Sequence, residues 1–398
     1  MTLFMQTYSA DAEHPLVESD RLRRVMYLIG LNPSLKFGSL EEQIFCLARA
    51  FKQEGGLFLP LFQSPLGPEA QAMYEAAGLE AGVLSLESFN VATLRRLTHL
   101  IRKHRIELLH WNFYKPINPY IYSLTFLTPR LRHYLTDHNT RELPLSPPAV
   151  RLRRVLKKSL LRRYSRVLCI SDFVLRCLEA EGVWPNTSSR TYFINTERFR
   201  PDDATRCRVR KDLDVVEQFV VLIVAQLVEW KGIDVLLRAL ARLPEHIVAW
   251  IVGDGPDAKI FQERCVTLGV EGRARFFGYQ ADVSPYMQGA DCLVCPTLWA
   301  EAVGLVNLEA LACRLPVIGS RVGGIPQFVE DGRSGFLFSP GDDAELADRI
   351  RRLDENPGER TRMGTEGRRI MIEQFSPDKR VAEYLDLYRV STRGGHHG

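Results

Sequence analysis

Two glutamates, Glu301 and Glu309, flank the segment of the chain whose residue types could do the most chemistry. They are separated by seven residues in the sequence PTLWAEAVGLVNLE, residues 296–309. A buried strand is expected to end at Cys295 and a helix to include residues 304–311, so Glu301 falls near the helix N-terminus and Glu309 within the helix. If the intervening residues are helical, the rise per residue separates the two carboxylates by about 12 Å.

A helix N-terminus between two carboxylates suits a ligand that carries both phosphate and hydroxyl groups. Backbone N–H groups and the helix dipole attract a diphosphate, and carboxylates accept hydrogen bonds from sugar hydroxyls. The alternative is a pair of solvated surface glutamates, which is the more common explanation of two isolated acidic residues. The remainder of the sequence has to distinguish these two explanations.

Two further sequences in the same half could contact phosphate. Lys231 precedes Gly232 at the expected start of a helix, where an ammonium group can bind a diphosphate and stabilise a departing nucleotide. The alternative, an exposed lysine in a first turn, is disfavoured by the helix dipole. The sequence IVGDGP at 251–256 contains Gly253 but lacks the third glycine of a dinucleotide-binding GxGxxG, so we interpret it as a turn.

The elements that must position these residues follow from the hydrophobic pattern. Short apolar runs rich in Val, Ile and Leu alternate with longer amphipathic stretches, which is typical of βα units around a parallel sheet. The pattern begins twice, so the sequence predicts an α/β protein with two doubly wound sheets in succession. In the first half, strands are predicted at 25–29, 57–62, 108–110, 133–136, 167–170 and 191–194, with a helix from about residue 39. In the second half, strands are predicted at 219–224, 249–252, 275–277, 292–295, 317–319 and 336–338.

The polar stretch at 195–212 interrupts this pattern and places a domain boundary and a hinge near residue 200. The tail that follows residue 392 has no periodicity, and its two histidines are too few for a metal site. Five segments are therefore expected: a poorly ordered N-terminus at 1–20, a first Rossmann-like domain at 21–200, a second at 201–376, a C-terminal helix at 377–392 and a tail at 393–398.

Composition limits the classes of function. The chain has 398 residues, of which 45% are hydrophobic and 25% charged, which is enough apolar material for two domains. The net charge of +4 is too small to indicate a nucleic-acid-binding protein. The first twenty residues lack a secretory signal pattern, and the longest apolar run, at 219–225, is far shorter than the about 20 residues of a membrane span. We therefore expect a cytoplasmic protein.

The eight cysteines are expected to be reduced, structural residues. They are spread through expected strands and helices rather than grouped as in a disulfide-rich domain. Cys292 and Cys295 form a CxxC, but the chain has no second such pair, and ADCLVCP is typical of a buried strand. A structural role is favoured over a metal or redox site, and no bound metal is expected.

Four segments, taken in order, resemble the retaining family-four glycosyltransferases: AQLVEWKGIDVLLRALARL at 225–243, IVGDGP at 251–256, EAVGLVNLE at 301–309 and GSRVGGIPQFVEDGRSGFLFSPGD at 319–342. The resemblance implies the GT-B fold, in which two Rossmann-like domains face each other across a cleft. It also implies that the first domain binds the acceptor, that the second binds the nucleotide sugar, and that the C-terminal helix crosses back onto the first domain.

The same resemblance assigns roles within the donor site. Glu301 would contact hydroxyls of the donor sugar and take part in catalysis, and Glu309 would contact the ribose. Lys231 would be a second catalytic residue, because its ammonium group would be directed at the donor diphosphate. The remaining donor-binding residues of the second half are Val303, Gly304, Leu305 and Gly253, of which Gly304 and Leu305 would offer backbone N–H groups.

In the first half the resemblance rests on less specific residues. Gly38 belongs to FGSLE at 37–41, which resembles the family's GGxE loop with Ser39 in place of the second glycine, and it would let phosphate or acceptor approach closely. His138 falls where the family has a histidine at the cleft and is the third catalytic candidate, with a structural histidine as the alternative. Ser171 precedes Asp172 in a step that resembles the family's entry into a helix, and it would cap that helix.

Two positions depart from the family pattern. Gln226 is kept as a donor-binding position, although the family commonly has an arginine there that shares the donor phosphate, so one fixed positive charge is absent. The sequence YFIN at 192–195 replaces the NGVD that often precedes the family's linker. That turn is therefore remodelled, and Asn195 is expected to cap or hydrogen-bond locally.

Two segments are candidates for contacts around the acceptor. Residues 151–166, RLRRVLKKSLLRRYSR, contain eight Lys or Arg with apolar residues at near-helical spacing. The expected basic amphipathic helix could lie on an anionic membrane that carries a lipid-linked acceptor, or it could be an ordinary solvated face. The aromatic segment at 110–122 could stack on sugars, or it could pack beneath a loop.

The sequence thus predicts a retaining glycosyltransferase that uses a UDP- or GDP-sugar and neither metal nor other cofactor. The acceptor would be a hydroxyl of a glycan, lipid-linked or small molecule in bacterial polysaccharide or envelope synthesis. The location would be cytoplasmic, with peripheral contact at the inner face of the membrane through residues 151–166. The alternatives are a phosphorylase or epimerase of the same architecture, and a catalytically weak homologue that binds carbohydrate or acts as a scaffold, which the changes at Ser39, Gln226 and 192–195 motivate.

Overall fold

The first of two parallel sheets is built around buried apolar strands. The computed structural model describes residues 21–31, 38–115, 118–138, 162–181 and 186–390. The strands of the first sheet are β1 (Val25–Ile29), β2 (Phe58–Phe62), β3 (Gly82–Val83), β4 (Leu108–Asn112), β5 (Arg132–Asp137), β6 (Arg166–Cys169) and β7 (Thr187–Ser189). They are ordered β3-β2-β1-β4-β5-β6-β7, and β1 is buried along its whole length, as expected of a strand with helices on both faces of its sheet.

A second parallel sheet follows in the second half of the chain. Its strands are β8 (Phe219–Val224), β9 (Ile247–Val252), β10 (Ala274–Gly278), β11 (Cys292–Cys295), β12 (Val317–Ser320) and β13 (Gly335–Phe338). They are ordered β10-β9-β8-β11-β12-β13. In both sheets the chain order reverses beside the first strand, β1 or β8, and the crevice at the carboxyl ends of the strands on either side of this point is where α/β proteins bind ligands.

Helices connect the strands and cover the sheets. The helices of the first half are α1 (Ser39–Gln53), α2 (Pro68–Ala76), α3 (Val91–Lys103), α4 (Pro119–Leu127) and α5 (Asp172–Ala180). Those of the second half are α6 (Asp203–Asp212), α7 (Ile233–Ala241), α8 (Ala258–Leu268), α9 (Ser284–Gly289), α10 (Leu305–Ala312), α11 (Ile325–Phe328), α12 (Asp343–Glu355), α13 (Pro357–Phe375) and α14 (Pro377–Tyr388). Side chains cap several of them; Ser171, for example, accepts a hydrogen bond from the Val174 N–H at the start of α5, as predicted.

The predicted strand at 191–194 is wrong, although its residues are as buried as those of a strand. The edge of the first sheet is instead β7, which the hydrophobic pattern does not show because its residues are Thr, Ser and Ser. Backbone groups of the 191–194 segment find partners outside the sheet: the Ile194 N–H donates to the Phe375 carbonyl at 2.8 Å, and the Phe193 N–H donates to Gln43 Oε1 at 3.3 Å. The apolar run is buried because it connects the two halves, not because it forms a sheet.

The last helix of the described chain, α14, packs against α1 of the first half. The Arg23 N–H donates to the Tyr388 carbonyl at 3.0 Å, and Leu22 and Arg389 form an antiparallel bridge. Tyr388 is fully buried, and its ring packs edge-on against Phe51 with the ring centres 5.5 Å apart. The end of the described chain thus contributes to the core of the first sheet.

Several expectations concern residues outside the described part of the chain. These are the N-terminal segment 1–20, Phe37 in the loop before α1, most of the basic segment (151–161), and the tail 393–398. Within the described part, no helix has the length and apolar character needed to cross a membrane. Cys292 and Cys295 are free thiols buried in β11, and burial raises the pKa of Cys295 to about 12.

Candidate functional site

Glycines let three loops meet at the carboxyl edge of the second sheet. Gly253 follows β9 with φ +132, and a Cβ atom there would lie 1.9 Å from the carbonyl oxygen of Ala225, just after β8. Gly232 has φ +71, and its Cβ would lie 1.9 Å from the carbonyl oxygen of Pro296, just after β11. Only glycine fits such positions. The loops that carry the candidate residues are therefore held together through direct backbone contact.

Lys231 and Glu301 form an ion pair at this edge. Lys231 Nζ donates to Glu301 Oε1 at 2.7 Å, and the two side chains are only 28% and 15% exposed. Lys231 is the last residue of a short 3₁₀ turn, Glu229–Lys231, and α7 begins at Ile233, so the lysine lies just before the helix. The ammonium and carboxylate groups, 70 positions apart in sequence, thus share one small region.

A second pair of glycines fixes the backbone of Glu301. The Gly324 N–H donates to the Glu301 carbonyl at 2.7 Å, and a Cβ on Gly323, which has φ +63, would lie 2.4 Å from the same oxygen. A Cβ on Gly324 would likewise lie 2.1 Å from the Ala302 carbonyl oxygen. These two glycines were not among the predicted site residues. Their adjacent occurrence in RVGGIP was the signal that could have identified them.

The segment between the two glutamates is not helical throughout. Gly304 adopts a left-handed conformation, with φ +70, as the N-cap of α10, and residues 296–303 form a bent loop. The expected 12 Å separation, which assumed a continuous helix, is therefore without basis. Glu301 Oε2 would lie 3.4 Å from a Cβ on Gly304, so this carboxylate sits beside the helix N-terminus as predicted, while Glu309 lies within α10. The side chain of Val303 is buried.

A cleft of about 550 Å³ joins the two halves of the molecule. It brings together five of the predicted donor-binding residues: Gly38, Gln226, Gly253, Leu305 and Glu309. The first half also contributes Leu31, Leu40 and Glu41, and the connecting segment contributes Arg198 and Phe199. Lys231, Glu301 and His138 are not among the residues that line this cavity in the described part of the chain. The Lys231–Glu301 pair adjoins it through Gly304, the residue before Leu305.

His138 follows directly after β5 and is enclosed by aromatic rings. Its ring stacks on Phe113 with the centres 3.6 Å apart, and its Nδ1 is hydrogen-bonded to the Tyr192 hydroxyl. Burial lowers the pKa of His138 to about 3 and raises that of Tyr192 well above its ordinary value, so both groups are neutral. The Tyr192 O–H therefore donates to Nδ1, and Nε2 carries the imidazole proton. Nε2 is buried and has no hydrogen-bond partner among the described residues.

Phe113 and Tyr192 were not predicted as site residues. Phe113 has φ +62, an unfavourable conformation for a bulky residue, and a Cβ on Gly30 would lie 2.7 Å from its carbonyl oxygen. Tyr192 lies in the remodelled turn at 192–195, where Asn195 Oδ1 accepts from the Glu197 and Arg198 N–H groups, the local bonding expected of it. The departure from the family pattern was the signal for Tyr192. Other aromatics of the 110–122 segment, Trp111, Tyr114 and Tyr120, are buried in the core.

Polar contacts join the two halves beside the glycine pair. The backbone N–H of Asp172, at the N-terminus of α5, donates to Gln327 Oε1 at 2.7 Å. Arg198 forms ion pairs with Glu42 at 2.9 Å and with Asp282 at 3.3 Å, and so links the connecting segment to both halves. In the described ranges, no group of three or more His, Cys, Asp or Glu side chains could hold a metal ion.

Two family models match the chain in order. The model described as glycosyltransferase family 4 matches residues 43–190, and that described as glycosyl transferases group 1 matches residues 208–370. Together they cover every strand of the two sheets except β1, and they include the segments that carry Lys231, Glu301 and Glu309.

Curated relatives have related descriptions. The N-acetyl-alpha-D-glucosaminyl L-malate synthase of Bacillus anthracis is 26% identical over 333 residues, which are 82% of this chain and 85% of that protein. The D-inositol 3-phosphate glycosyltransferase of Streptomyces bingchenggensis is 35% identical over 219 residues, which are 50% of this chain and 47% of that protein. The match to the second relative thus spans about half of its length.

Solved structures share the two-domain architecture. The Anabaena protein Alr3699/HepE, crystallised in complex with UDP, superposes with a TM-score of 0.77 at 21% identity, over 92% of this chain and 99% of that one. WaaG, a glycosyltransferase involved in lipopolysaccharide biosynthesis, superposes with a TM-score of 0.65 at 18% identity, over 93% of this chain and 100% of that one. At these identities the likeness concerns the fold, which is that of the GT-B glycosyltransferases.

Proposed function

The chain belongs to the family-four glycosyltransferases of GT-B fold, and from that membership we propose that it transfers a glycosyl group from a nucleotide diphosphate sugar to an acceptor hydroxyl with retention of anomeric configuration. The donor is a UDP- or GDP-sugar. The acceptor is a glycan, a lipid-linked sugar or a small molecule of bacterial polysaccharide or envelope synthesis. No step of the proposed reaction uses a metal ion.

The observation that carries the proposal is the Lys231–Glu301 ion pair beside the N-terminus of α10. A diphosphate at that helix N-terminus would meet backbone N–H groups, the positive end of the helix dipole and the Lys231 ammonium together. The ammonium would then share its charge between Glu301 and the phosphate. Glu301 would keep an oxygen available for donor-sugar hydroxyls, because Oε1 bonds Lys231 while Oε2 lies towards Gly304.

The adjoining cleft would hold the nucleoside. Glu309 on α10 lines it and would accept hydrogen bonds from ribose hydroxyls. Gly253, Gln226 and Leu305 lie around the same space, and Gly38 closes it from the first half. The cleft volume of about 550 Å³ falls within the ordinary range for a small-molecule site.

His138 would act from the first half as a hydrogen-bond donor. Its imidazole is neutral, and Tyr192 fixes the tautomer in which Nε2 carries the proton. A sugar hydroxyl is a suitable acceptor for that proton, and the bond would satisfy a buried donor that has no partner among the described residues. His138 would thus position a substrate and would not serve as a general base.

The proposed chemistry needs no covalent intermediate. The bond between the anomeric carbon and the phosphate oxygen breaks, and the electron pair goes to the phosphate, which Lys231 and the start of α10 stabilise. The acceptor oxygen forms its bond to the anomeric carbon on the same face. The acceptor proton passes to the departing phosphate. The protein contributes positioning and charge stabilisation.

We also propose peripheral contact with the inner face of the cytoplasmic membrane through the basic segment 151–166. Its eight positive side chains would be attracted to an anionic surface that carries a lipid-linked acceptor.

Calorimetric titration with a panel of UDP- and GDP-sugars, without added metal, tests the donor site. We expect one donor to bind the parent protein saturably. The same donor should bind Glu309→Ala much more weakly, and it should bind the control Glu263→Ala, on α8, as tightly as the parent. Proton NMR of the product with a sugar acceptor then reports its anomeric configuration. Donor binding with an inverted product would refute retention, and release of sugar phosphate or an epimerised nucleotide sugar would indicate a phosphorylase or epimerase.

Absence of donor binding by the folded parent protein would overturn the transferase proposal. The catalytically weak, carbohydrate-binding homologue would then be the better description. The change from arginine to Gln226 is the observation that favours this second candidate, because it removes one cation from the phosphate site.

A further inference from the structure

An arginine-rich basin lies at the end of the first sheet opposite the cleft. Its walls are formed where β1, β4 and β5 begin, whereas the cleft lies beyond the ends of the parallel strands. The basin has a volume of about 940 Å³. Its charged lining residues are Arg21, Arg23, Arg102, Arg105, Arg130, Arg132 and Glu107.

The charge of the basin is strongly unbalanced. Glu107 is its single carboxylate, and Arg21 already holds both of its oxygens, at 2.6 and 2.8 Å. In the described ranges, the other five arginines have no carboxylate within ion-pair distance. Arg23 is 8% exposed, and its guanidinium donates to the Arg389 carbonyl. Burial, with Arg132 and Arg166 nearby, lowers the pKa of Arg23. A partly buried cluster of this kind attracts anions.

Ordinary helix stabilisation explains only part of this cluster. Arg102 lies in the last turn of α3, where a cation favours the helix dipole. Arg105, three residues later, has φ +47 in the turn that ends α3, a position that usually takes glycine. Arg130 and Arg132 lie after α4 and at the start of β5, outside any helix C-terminus. Their presence needs another explanation.

Two apolar side chains stand exposed beside the basin. Phe126 is 77% exposed and Leu127 is 50% exposed, at the end of α4, and the chain passes directly from them into the basin wall at 128–132. The guanidinium of Arg163 lies 5.6 Å from the centre of the Phe126 ring and 5.4 Å from that of Tyr122. Exposed aromatic and aliphatic side chains with a cationic border are typical of membrane-surface segments.

We propose that the arginine basin and the Phe126–Leu127 pair form a docking surface for an anionic lipid bilayer. Lipid phosphates would contact the arginines, and the two apolar side chains would enter the boundary between head groups and acyl chains. A soluble polyanion would need only the arginines, so the exposed apolar pair favours the bilayer. Apart from Arg163, the surface lies outside the basic segment 151–166. The proposal does not depend on glycosyl transfer.

Sedimentation with vesicles tests the docking surface. We expect the parent protein to bind vesicles of phosphatidylcholine with phosphatidylglycerol and to release them as the salt concentration rises. It should not bind vesicles of pure phosphatidylcholine. Because each arginine near an anionic surface contributes roughly a fivefold factor, Arg102→Gln with Arg130→Gln should weaken binding about 25-fold. Phe126→Ser should weaken it about tenfold. The control pair Arg208→Gln with Lys259→Gln, which removes two exposed charges from the second half, should bind as the parent does.

Three outcomes would overturn the proposal. If the basin variants and the control pair bind vesicles equally well, the basin does not contact the bilayer. Binding of inositol hexakisphosphate through the basin, without vesicle binding, would identify a soluble polyanion site. Unweakened binding by the basin variants, together with loss of binding by Lys157→Gln with Lys158→Gln, would assign the membrane contact to the basic segment. All substituted basin residues are exposed, and far-UV circular dichroism with donor titration confirms that the variants are folded.

Discussion

The two sheets hold their candidate residues in different ways. Around the second sheet, close backbone contacts at Gly232, Gly253 and Gly323 bring loops together, so the positions of Lys231 and Glu301 follow from main-chain geometry. In the first sheet, His138 is held by side chains, with Phe113 stacked on one face and the Tyr192 hydroxyl on Nδ1. A site fixed by backbone contact leaves glycines in the sequence, whereas a site fixed by side-chain packing can be built from many residue types.

The largest expected effect concerns the charged pair of the second sheet. Lys231→Gln removes the ammonium group that would stabilise the departing diphosphate, and we expect kcat to fall about 100-fold or more. The measurement is the initial rate of transfer at saturating donor. Lys259→Gln, an exposed lysine on α8, is the control. A loss confined to KM would mean that Lys231 binds the donor without stabilising the transition state.

Gly232→Ala tests whether backbone contact maintains this region. The added methyl group would overlap the Pro296 carbonyl in a left-handed conformation, and we expect a loss of about 3 kcal/mol of unfolding free energy. Gly269→Ala is a matched control, because Gly269 has φ +67 but no atom within 4 Å of its Cβ position. It should lose only about 1 kcal/mol. Similar losses in urea unfolding of both variants would show that conformational strain alone, without loop contact, matters here.

Acidification should lower the stability of the first half more than that of the second. Burial lowers the pKa of His110 to about 3, of His133 to about 4 and of His138 to about 3. The unfolded chain binds protons below about pH 6.5 while the folded chain does not, so the stability present above that pH falls as the pH drops towards 4. At about pH 5.5 each of these buried histidines should lower the free energy of unfolding by roughly 1 kcal/mol.

Hydrogen exchange at neutral and mildly acidic pH measures this difference by region. Peptides from β1, β4 and β5 should lose protection on acidification before those from β8 and β9. In the described second half, His246 is half-exposed and lies 2.9 Å from Asp354. Uniform loss of protection in both sheets would contradict the assignment of acid sensitivity to the buried histidines.

Tyr192→Phe tests the side-chain arrangement of the first sheet at a smaller scale. Loss of one hydrogen bond should slow transfer about fivefold, because His138 is no longer confined to the tautomer with a proton on Nε2. Nitrogen-15 shifts of the imidazole report that tautomer directly. Tyr286→Phe on α9 serves as the control. Unchanged shifts in Tyr192→Phe would show that packing against Phe113, and not the hydroxyl, orients His138.

The smallest expected effect is a gain. Gln226→Arg would add a cation to the cleft, and donor affinity should rise a fewfold, by about 0.5–1 kcal/mol, in calorimetric titration. Gln280→Arg, at another position of the same cleft, controls for a general increase in positive charge. Equal gains in both variants would show that the position of the charge is unimportant.

Most of the second sheet could be predicted from sequence because its strands are continuous apolar runs. Phe219–Val224 and Cys292–Cys295 were predicted with the bounds that the structure has. The family resemblance marked Lys231, Glu301 and Glu309 in this half, and the structure places Lys231 and Glu301 in contact. The prediction of a continuous helix from Glu301 to Glu309 was wrong, because Gly304 has a left-handed conformation and the helix begins only after it, at Leu305.

The first half was harder to predict because a buried apolar segment there is not a strand, and a polar segment is. The buried run at 191–194 connects the two halves, and the polar β7 forms the sheet edge instead. His138 is enclosed by Phe113, whose backbone has a left-handed conformation. The residue type at position 113 does not predict that conformation. Tyr192 was visible only as a departure from the family pattern. Long-range packing, not local preference, determines this region.

The contact between Tyr388 and the first sheet has a consequence for synthesis of the chain. The Arg23 side chain bonds the Arg389 carbonyl across 366 positions of sequence, and Tyr388 fills space beside Phe51 and Phe58 in the first core. A ribosome releases residues from the N-terminus onward, so the first domain emerges long before the residue that completes its core. Until translation reaches Tyr388, that core must stay open or incompletely packed. Such long-range closure slows folding and makes the first domain depend on the second having been made.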